Sequence, residues 1–212
     1  MGLLVLGIAT AVFADLAEDV ANGEPLTITD ARFSAWLHAH ATPPLTAVML
    51  VITNLHSTIG ITLLTMIFAI LLWRWRARSR ILEFVATVYC GMLLNYWLKD
   101  IFQRARPHFN DYLAIATGFS FPSGHTMAAT VFYGMLAATV IPRMQSKAHK
   151  FMMIMLAVVM AALVGFSRIY LGVHYLSDVV GAMVEGVGWL AICCTAFETL
   201  HRRRAIAASN LK

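Results

Sequence analysis

Apolar residues run through this chain in long blocks separated by short charged segments. Five blocks reach, or nearly reach, the roughly 20 residues that a helix needs to cross a bilayer. They run from Thr46 to Trp73, Ile81 to Leu98, Thr126 to Ile141, Phe151 to Phe166 and Val179 to Leu200. A sixth, Gly2 to Ala14, is shorter and has two readings. Val12 and Ala14 occupy the small-residue positions of a signal-peptide cleavage site, but no Lys or Arg precedes the apolar run. We take it as a short first transmembrane helix. The pattern predicts an all-α, polytopic membrane bundle of about six helices, one membrane-embedded domain over residues 1–212. Glu83, Glu185 and His56 fall within or at the ends of the blocks, so they should face protein or water rather than lipid. Hydrogen bonds between helices are their simplest role.

Composition removes the soluble alternatives. Hydrophobic residues fill 59% of the 212 positions and charged ones only 13%, about half the share usual in soluble domains. Mean hydropathy is +0.72. A soluble surface has to stay wet, and a domain of this size could not hide so much apolar area. The net charge of +5 is explained by Lys and Arg in cytoplasmic loops, so no nucleic-acid partner is expected. Cys90, Cys193 and Cys194 all lie in apolar blocks with no metal-site spacing, and buried thiols account for them.

Charge in the loops predicts orientation. Arg74, Arg76, Arg78 and Arg80 form one basic segment, Arg143, Lys147 and Lys150 a second, and Arg202, Arg203 and Arg204 a third. These alternate with the other loops, so the positive-inside rule puts all three, with the C-terminus, in the cytoplasm. The acidic stretch with Asp15, Glu18, Asp19, Glu24 and Asp30 then lies outside, with only Arg32 against it. So do residues 99–124 and 168–178, whose cations run against the topological trend. An anionic ligand on the outer face would explain them.

Three polar clusters share that face. In the first, Lys99 is followed seven residues later by Arg106 and then Pro107; Arg offers a planar fork for phosphate oxygens and Lys a point charge. Binding of lipid headgroups at a basic membrane edge is an equal reading of this cluster alone. In the second, Pro122, Ser123 and Gly124 turn into a helix whose N-terminal N–H groups favour an anion, with His125 in its first turn. Ser123 could simply cap that helix. In the third, His174 and Asp178 are four apart and share a helical face. The carboxylate would fix the ring tautomer and leave one nitrogen free as a nucleophile. A polar pair holding two helices together is the plainer reading of the dyad by itself. Together with Arg168 the clusters supply a nucleophile with its orienting group, a candidate acid and an anion clamp. No carboxylate cluster is present to hold Mg²⁺, so the side-chain cations would take its place. Neither metal nor cofactor is expected.

These blocks, Lys99 to Pro107, Pro122 to His125 and Ser167 to Asp178, resemble in order and internal spacing the tripartite signature of the type-2 phosphatidic acid phosphatase superfamily. The compact chain is most similar to its bacterial phosphatidylglycerophosphate and undecaprenyl pyrophosphate phosphatases. The resemblance implies that His174 attacks phosphorus, Asp178 holds His174, and His125 protonates the leaving group and then activates water. Lys99, Arg106, Arg168, Ser123 and Gly124 would bind the phosphate. It further implies a lipid phosphate substrate, an inner-membrane location and a site facing the periplasm. Arg104, His108 and Asp111 lie outside the motif, and solvated loop positions are their simpler reading. Transfer of the phosphate to a second lipid such as lipid A, haloperoxidase chemistry with vanadate, and a transport role are the alternatives. Hydropathy argues against the haloperoxidase, and the edge position of the charges against transport.

Overall fold

The computed structural model describes residues 2–23, 25–111 and 113–209; Glu24 of the acidic segment lies outside them. Among the described residues the regular structure is helical throughout. The helices are α1 (Gly2–Asn22), α2 (Pro25–Ala39), α3 (Pro43–Leu55), α4 (Thr58–Arg74), α5 (Arg78–Phe102), α6 (Gly124–Val140), α7 (Lys147–Tyr170) and α8 (Leu176–Ser209).

Four helices, α5, α6 with its short 3₁₀ extension, α7 and α8, are long and apolar enough to cross a membrane. The block from Thr46 to Trp73 is not one rod: α3 and α4 meet at 57°, the geometry of a broken span or a re-entrant loop, so the described residues hold four candidate spans, or five if the bent pair is one. His56 and Ser57 make the break. The His56 ring bonds the Ile52 carbonyl, and Ser57 caps α4 by accepting from the Gly60 N–H. At Gly60 a Cβ would sit 2.1 Å from the Leu55 carbonyl oxygen, so the bend closes only over a glycine. The first block runs further than its apolar stretch. α1 continues to Asn22 and carries Asp15, Glu18 and Asp19 in its second half, which leaves no uninterrupted apolar run of spanning length. It packs against α8; Gly2 lies beside Thr195 and Ala9 beside Gly188, so the two run antiparallel.

Two kinds of surface result. One side of α4, α5 and α7 exposes large apolar residues, Ile59, Ile67, Leu82, Trp97 and Phe151 among them, as lipid solvation allows and water would not. The chain is an integral membrane protein. Inside, Phe68, Phe84, Met127, Val131 and Phe132 form the core around α6. Because lipid is as apolar as leucine, close backbone approach and hydrogen bonds hold such helices. Gly91 lies against Met127 and Trp189, and the Trp189 indole N–H donates to the Thr87 carbonyl at 2.8 Å. Glu83, His56 and Glu185 are all buried, as expected of polar residues in spans. Cys193 is buried, but Cys90 is exposed on the outside of α5.

The stretch between Asp15 and the second block is also structured. It forms α2, which packs against α1, α7 and α8 and buries Asp30 and Ser34. A helix that buries a carboxylate at this end of the bundle, against the start of α8, has a polar partner beneath it.

Candidate active site

That polar end is where the three clusters meet. His174 occupies the turn joining α7 to α8, and Asp178 the first turn of α8. Gly172 makes the return with φ +70, and a Cβ there would stand 3.0 Å from the Phe109 ring. The His174 Nδ1 lies 3.2 Å from Asp178 Oδ2, which also accepts the Tyr175 N–H at 2.9 Å. On the other edge of the ring, Nε2 is 3.1 Å from an Arg106 guanidinium nitrogen. A carboxylate at Nδ1 and a cation at Nε2 select one tautomer, with the proton on Nδ1 and the lone pair on Nε2. His174 is 2% exposed. Burial first, then the positive charges of Arg106, Lys99 and Arg168, holds it well below the usual histidine range, so the ring is neutral.

The cations come from three elements. Lys99, in the last turn of α5, donates to the carbonyls of Phe119 at 2.9 Å and Ser120 at 3.1 Å. Arg106 donates to Val173 O at 2.7 Å, Gly118 O at 2.9 Å, and Thr117 O and Phe119 O at 3.0 Å each. It therefore ties the loop after α5 to the turn carrying His174. Arg168, in the last turn of α7, is 5% exposed. It donates to Thr53 Oγ1 on α3, and its Nε is buried without a partner among the described residues. An orphaned guanidinium N–H is costly unless a ligand takes it, and phosphate oxygens are suited to it.

Ser123 and Gly124 begin α6, but not as a conventional cap. The Ser123 side chain makes no capping bond; it accepts from Thr126 Oγ1 at 2.9 Å, and its N–H goes to the Asp178 carbonyl at 3.0 Å. The second cluster is thus stitched to the third through backbone. At Gly124 a Cβ would stand 3.2 Å from Asn95 Oδ1. His125 follows on the wall of a cavity of about 170 Å³, shared with Lys99, Asn95, His56, Thr58 and Tyr96.

Several residues around the site are not motif positions. Arg104 is not a solvated loop residue: one of its nitrogens donates to Asp178 Oδ1 at 2.6 Å and to Ser177 Oγ at 2.7 Å, and the other to Asp30 Oδ2 at 2.9 Å. Asp30 was visible in the sequence only as one of several outer acids. Thr53 supports Arg168, and Asn95 bridges from the cavity to Glu185 Oε2 at 2.8 Å. His108 and Asp111 are exposed; Asp111 meets His38 at 2.9 Å, a bond that holds its carboxyl below the usual range. Only Arg104 carried a sequence signal, a second arginine two positions before Arg106.

Residues 80–202 match the PAP2 superfamily, a stretch that contains all three blocks. The chain belongs to the PAP2 superfamily. Phosphatidylglycerophosphatase B of Bacillus subtilis (strain 168) is 44% identical over 97 residues, 45% of this chain and 47% of that protein. Lipid A 1-phosphatase of Rhizobium etli (strain ATCC 51251 / DSM 11541 / JCM 21823 / NBRC 15573 / CFN 42) is 33% identical over 118 residues, 51% of this chain and 46% of that protein. The chain thus spans about half the length of these curated relatives. Its PAP2 fold is matched more fully by the crystal structure of a transmembrane PAP2-type phosphatidylglycerolphosphate phosphatase from Bacillus subtilis. That likeness has a TM-score of 0.84 at 30% identity, over 92% of this chain and 96% of that one.

Proposed function

We propose that this chain is a membrane lipid phosphatase that works through a phosphohistidine on His174, at the extracytoplasmic face. The observation that carries the reading is the His174 ring, held neutral between Asp178 at Nδ1 and Arg106 at Nε2. With phosphate bound, the Arg106 N–H turns from Nε2 to a phosphate oxygen, and the freed Nε2 lone pair attacks phosphorus as the ester P–O bond breaks. His125 gives its proton to the leaving oxygen, and Asp178 stabilises the ring as it becomes cationic. His125, now neutral, takes a proton from water. The water oxygen attacks, the P–N bond breaks, and inorganic phosphate leaves with His174 restored. Lys99, Arg106 and Arg168, with the start of α6 at Ser123 and Gly124, hold the equatorial oxygens. Among the described residues no three His, Cys, Asp or Glu side chains converge as a metal-holding set, and cations of the chain itself match the charge on phosphate.

A cavity of about 170 Å³ suits a phosphate with a small part of its headgroup. The acyl or polyprenyl chain therefore stays in the bilayer, beside Tyr96 on the outer side of α5. Phosphatidylglycerophosphate, phosphatidic acid and undecaprenyl pyrophosphate fit this description, and the names of the relatives favour the first. The far end of the bundle supports the orientation: Arg80, His201 and Arg202 gather around a different cavity, roughly 28 Å of helix rise from Lys99 along α5. The test is the purified protein with EDTA, offered these lipids and lipid A one at a time. Phosphate release from at least one, with an acid-labile, alkali-stable phosphoenzyme, is expected. Release that requires added Mg²⁺, or an enzyme that never carries phosphate, would overturn the mechanism.

A further inference from the structure

Behind the His174–Asp178 dyad lies a buried ion cluster built on Arg104 and Asp30, neither of them a motif position. Arg104 sits between two carboxylates. It bonds Asp178 Oδ1 at 2.6 Å on one side and Asp30 Oδ2 at 2.9 Å on the other. Its guanidinium carbon lies 4.2 Å from the centroid of the Tyr175 ring. Asp30 and Asp178 are 2% and 0% exposed. Asp30 is anchored in turn by the Ser177 N–H at 3.0 Å and by the Ser177 hydroxyl, at the N-terminus of α8 where a carboxylate is favoured. The loop that carries Arg104 is fixed by its own carbonyl, which accepts the Ser120 N–H at 2.8 Å.

The arrangement divides the Asp178 carboxylate. Oδ1 belongs to Arg104, and Oδ2 to His174 and the Tyr175 N–H. Arg104 thus sets the rotamer that points Oδ2 at the ring. A lone arginine there would also cancel the charge that His174 needs behind it when its ring turns cationic. Asp30 removes that problem. Counted by formal charge, two carboxylates around one guanidinium leave the cluster one net negative charge, which matches the single positive charge of a phosphorylated imidazolium.

We propose that Asp30 and Arg104 are positioning residues for the nucleophile: Arg104 orients Asp178, and Asp30 keeps the cluster one charge negative. This rests on the reading of His174 as nucleophile. The charged and titratable groups facing the dyad are Lys99 from α5, Arg104 and Arg106 from the loop, His125 from α6, Arg168 from α7, Tyr175 beside it and Asp30 from α2.

The test is the rate of phosphoenzyme formation and the acid limb of kcat/KM in Asp30→Asn, Arg104→Gln and the double variant. Each single change should slow phosphorylation roughly ten-fold, a size usual for coupled buried groups, with KM within about two-fold. The limbs should move in opposite directions. Asp30→Asn makes the surroundings of His174 more positive and shifts the limb to lower pH. Arg104→Gln makes them more negative and shifts it to higher pH, each by about one unit. The double variant restores one net negative charge and returns the limb towards wild type. Damage by misfolding would not give opposite shifts. If Arg104→Gln alone does not fold, Asp30→Asn and the double variant decide. Limbs that move together or stay put, or a double variant no nearer wild type than Asp30→Asn, would overturn the proposal. A wild-type enzyme that never labels on histidine removes the nucleophile reading and this proposal with it; labelling with unmoved limbs removes only this one.

Discussion

The two histidines of the site live in opposite surroundings. His174 is enclosed, with a carboxylate on one nitrogen and a guanidinium on the other. His125 is half-buried on a cavity wall. A nucleophile has to present one lone pair in one direction, which fixed partners on both edges provide. A group that gives a proton in one step and takes one in the next has to change state, and needs access to water and to the leaving oxygen. The difference follows from position in the chain. His174 sits in a turn roofed by the loop after α5, whereas His125 is in the first turn of α6 beside α5, where Gly124 keeps the wall thin.

Removing His174 should break the contrast most completely. His174→Ala is expected to abolish both phosphate release and phosphoenzyme labelling while the protein still purifies as a folded species; a labelled variant would show that another residue attacks phosphorus. His125→Gln should separate the two roles. Turnover of a lipid phosphate is expected to fall roughly 10²–10⁴-fold, the range for losing a general acid–base. An aryl phosphate, whose leaving group needs no proton, should still label the enzyme, and the label should persist. Equal loss of labelling with both substrates would argue against His125 as the acid.

How much of this was legible in the sequence follows the same divide. The three blocks were readable because the groups proposed to hold phosphate sit at short, regular spacings within short segments. Their convergence was readable too, since loop charge alone puts them on one face. The supports were not. Asp30 lies in α2, which looked like an acidic loop, and its partner Arg104 is about 70 positions away with no periodicity linking them. Thr53 and Asn95 are ordinary span residues until α3 and α5 are packed. The break between α3 and α4 was hidden because both halves are apolar, and the signals for it, His56, Ser57 and Gly60, are scattered within an unbroken hydrophobic block. In α1 the apolar run stops at Ala14, yet the helix goes on to Asn22, with Ala17 buried and Asp15 and Glu18 exposed.

A smaller effect should come from the clamp. Thr53→Val removes the hydroxyl that accepts from Arg168 and nearly preserves shape. It leaves a second buried guanidinium N–H without a partner, beside the Nε that already has none. The guanidinium is then free to turn away from the phosphate position. Loss of one such bond to a charged group is worth about 1.5–3 kcal/mol, or roughly ten-fold or more in kcat/KM. Little change in KM relative to kcat would place the bond in the transition state, and no change in either would make Thr53 mere packing.

The smallest effect is on stability, and it sharpens the contrast from the enclosed side. His174 in the folded protein stays neutral well below the usual histidine range, whereas in the unfolded chain it titrates near the ordinary value of about 6.5. Below that pH the unfolded chain binds a proton that the folded one does not. Stability therefore rises with pH through this window and falls on acidification, by at most about 1.4 kcal/mol per pH unit from this residue. Melting temperatures in detergent at pH 7, 6 and 5 should fall more steeply for wild type than for His174→Gln, which has no ring to protonate. The residual slope of the variant belongs to other groups. Parallel curves would mean that His174 takes up its proton in the folded protein as readily as in the unfolded one, and a ring that does so could not keep Nε2 free for phosphorus.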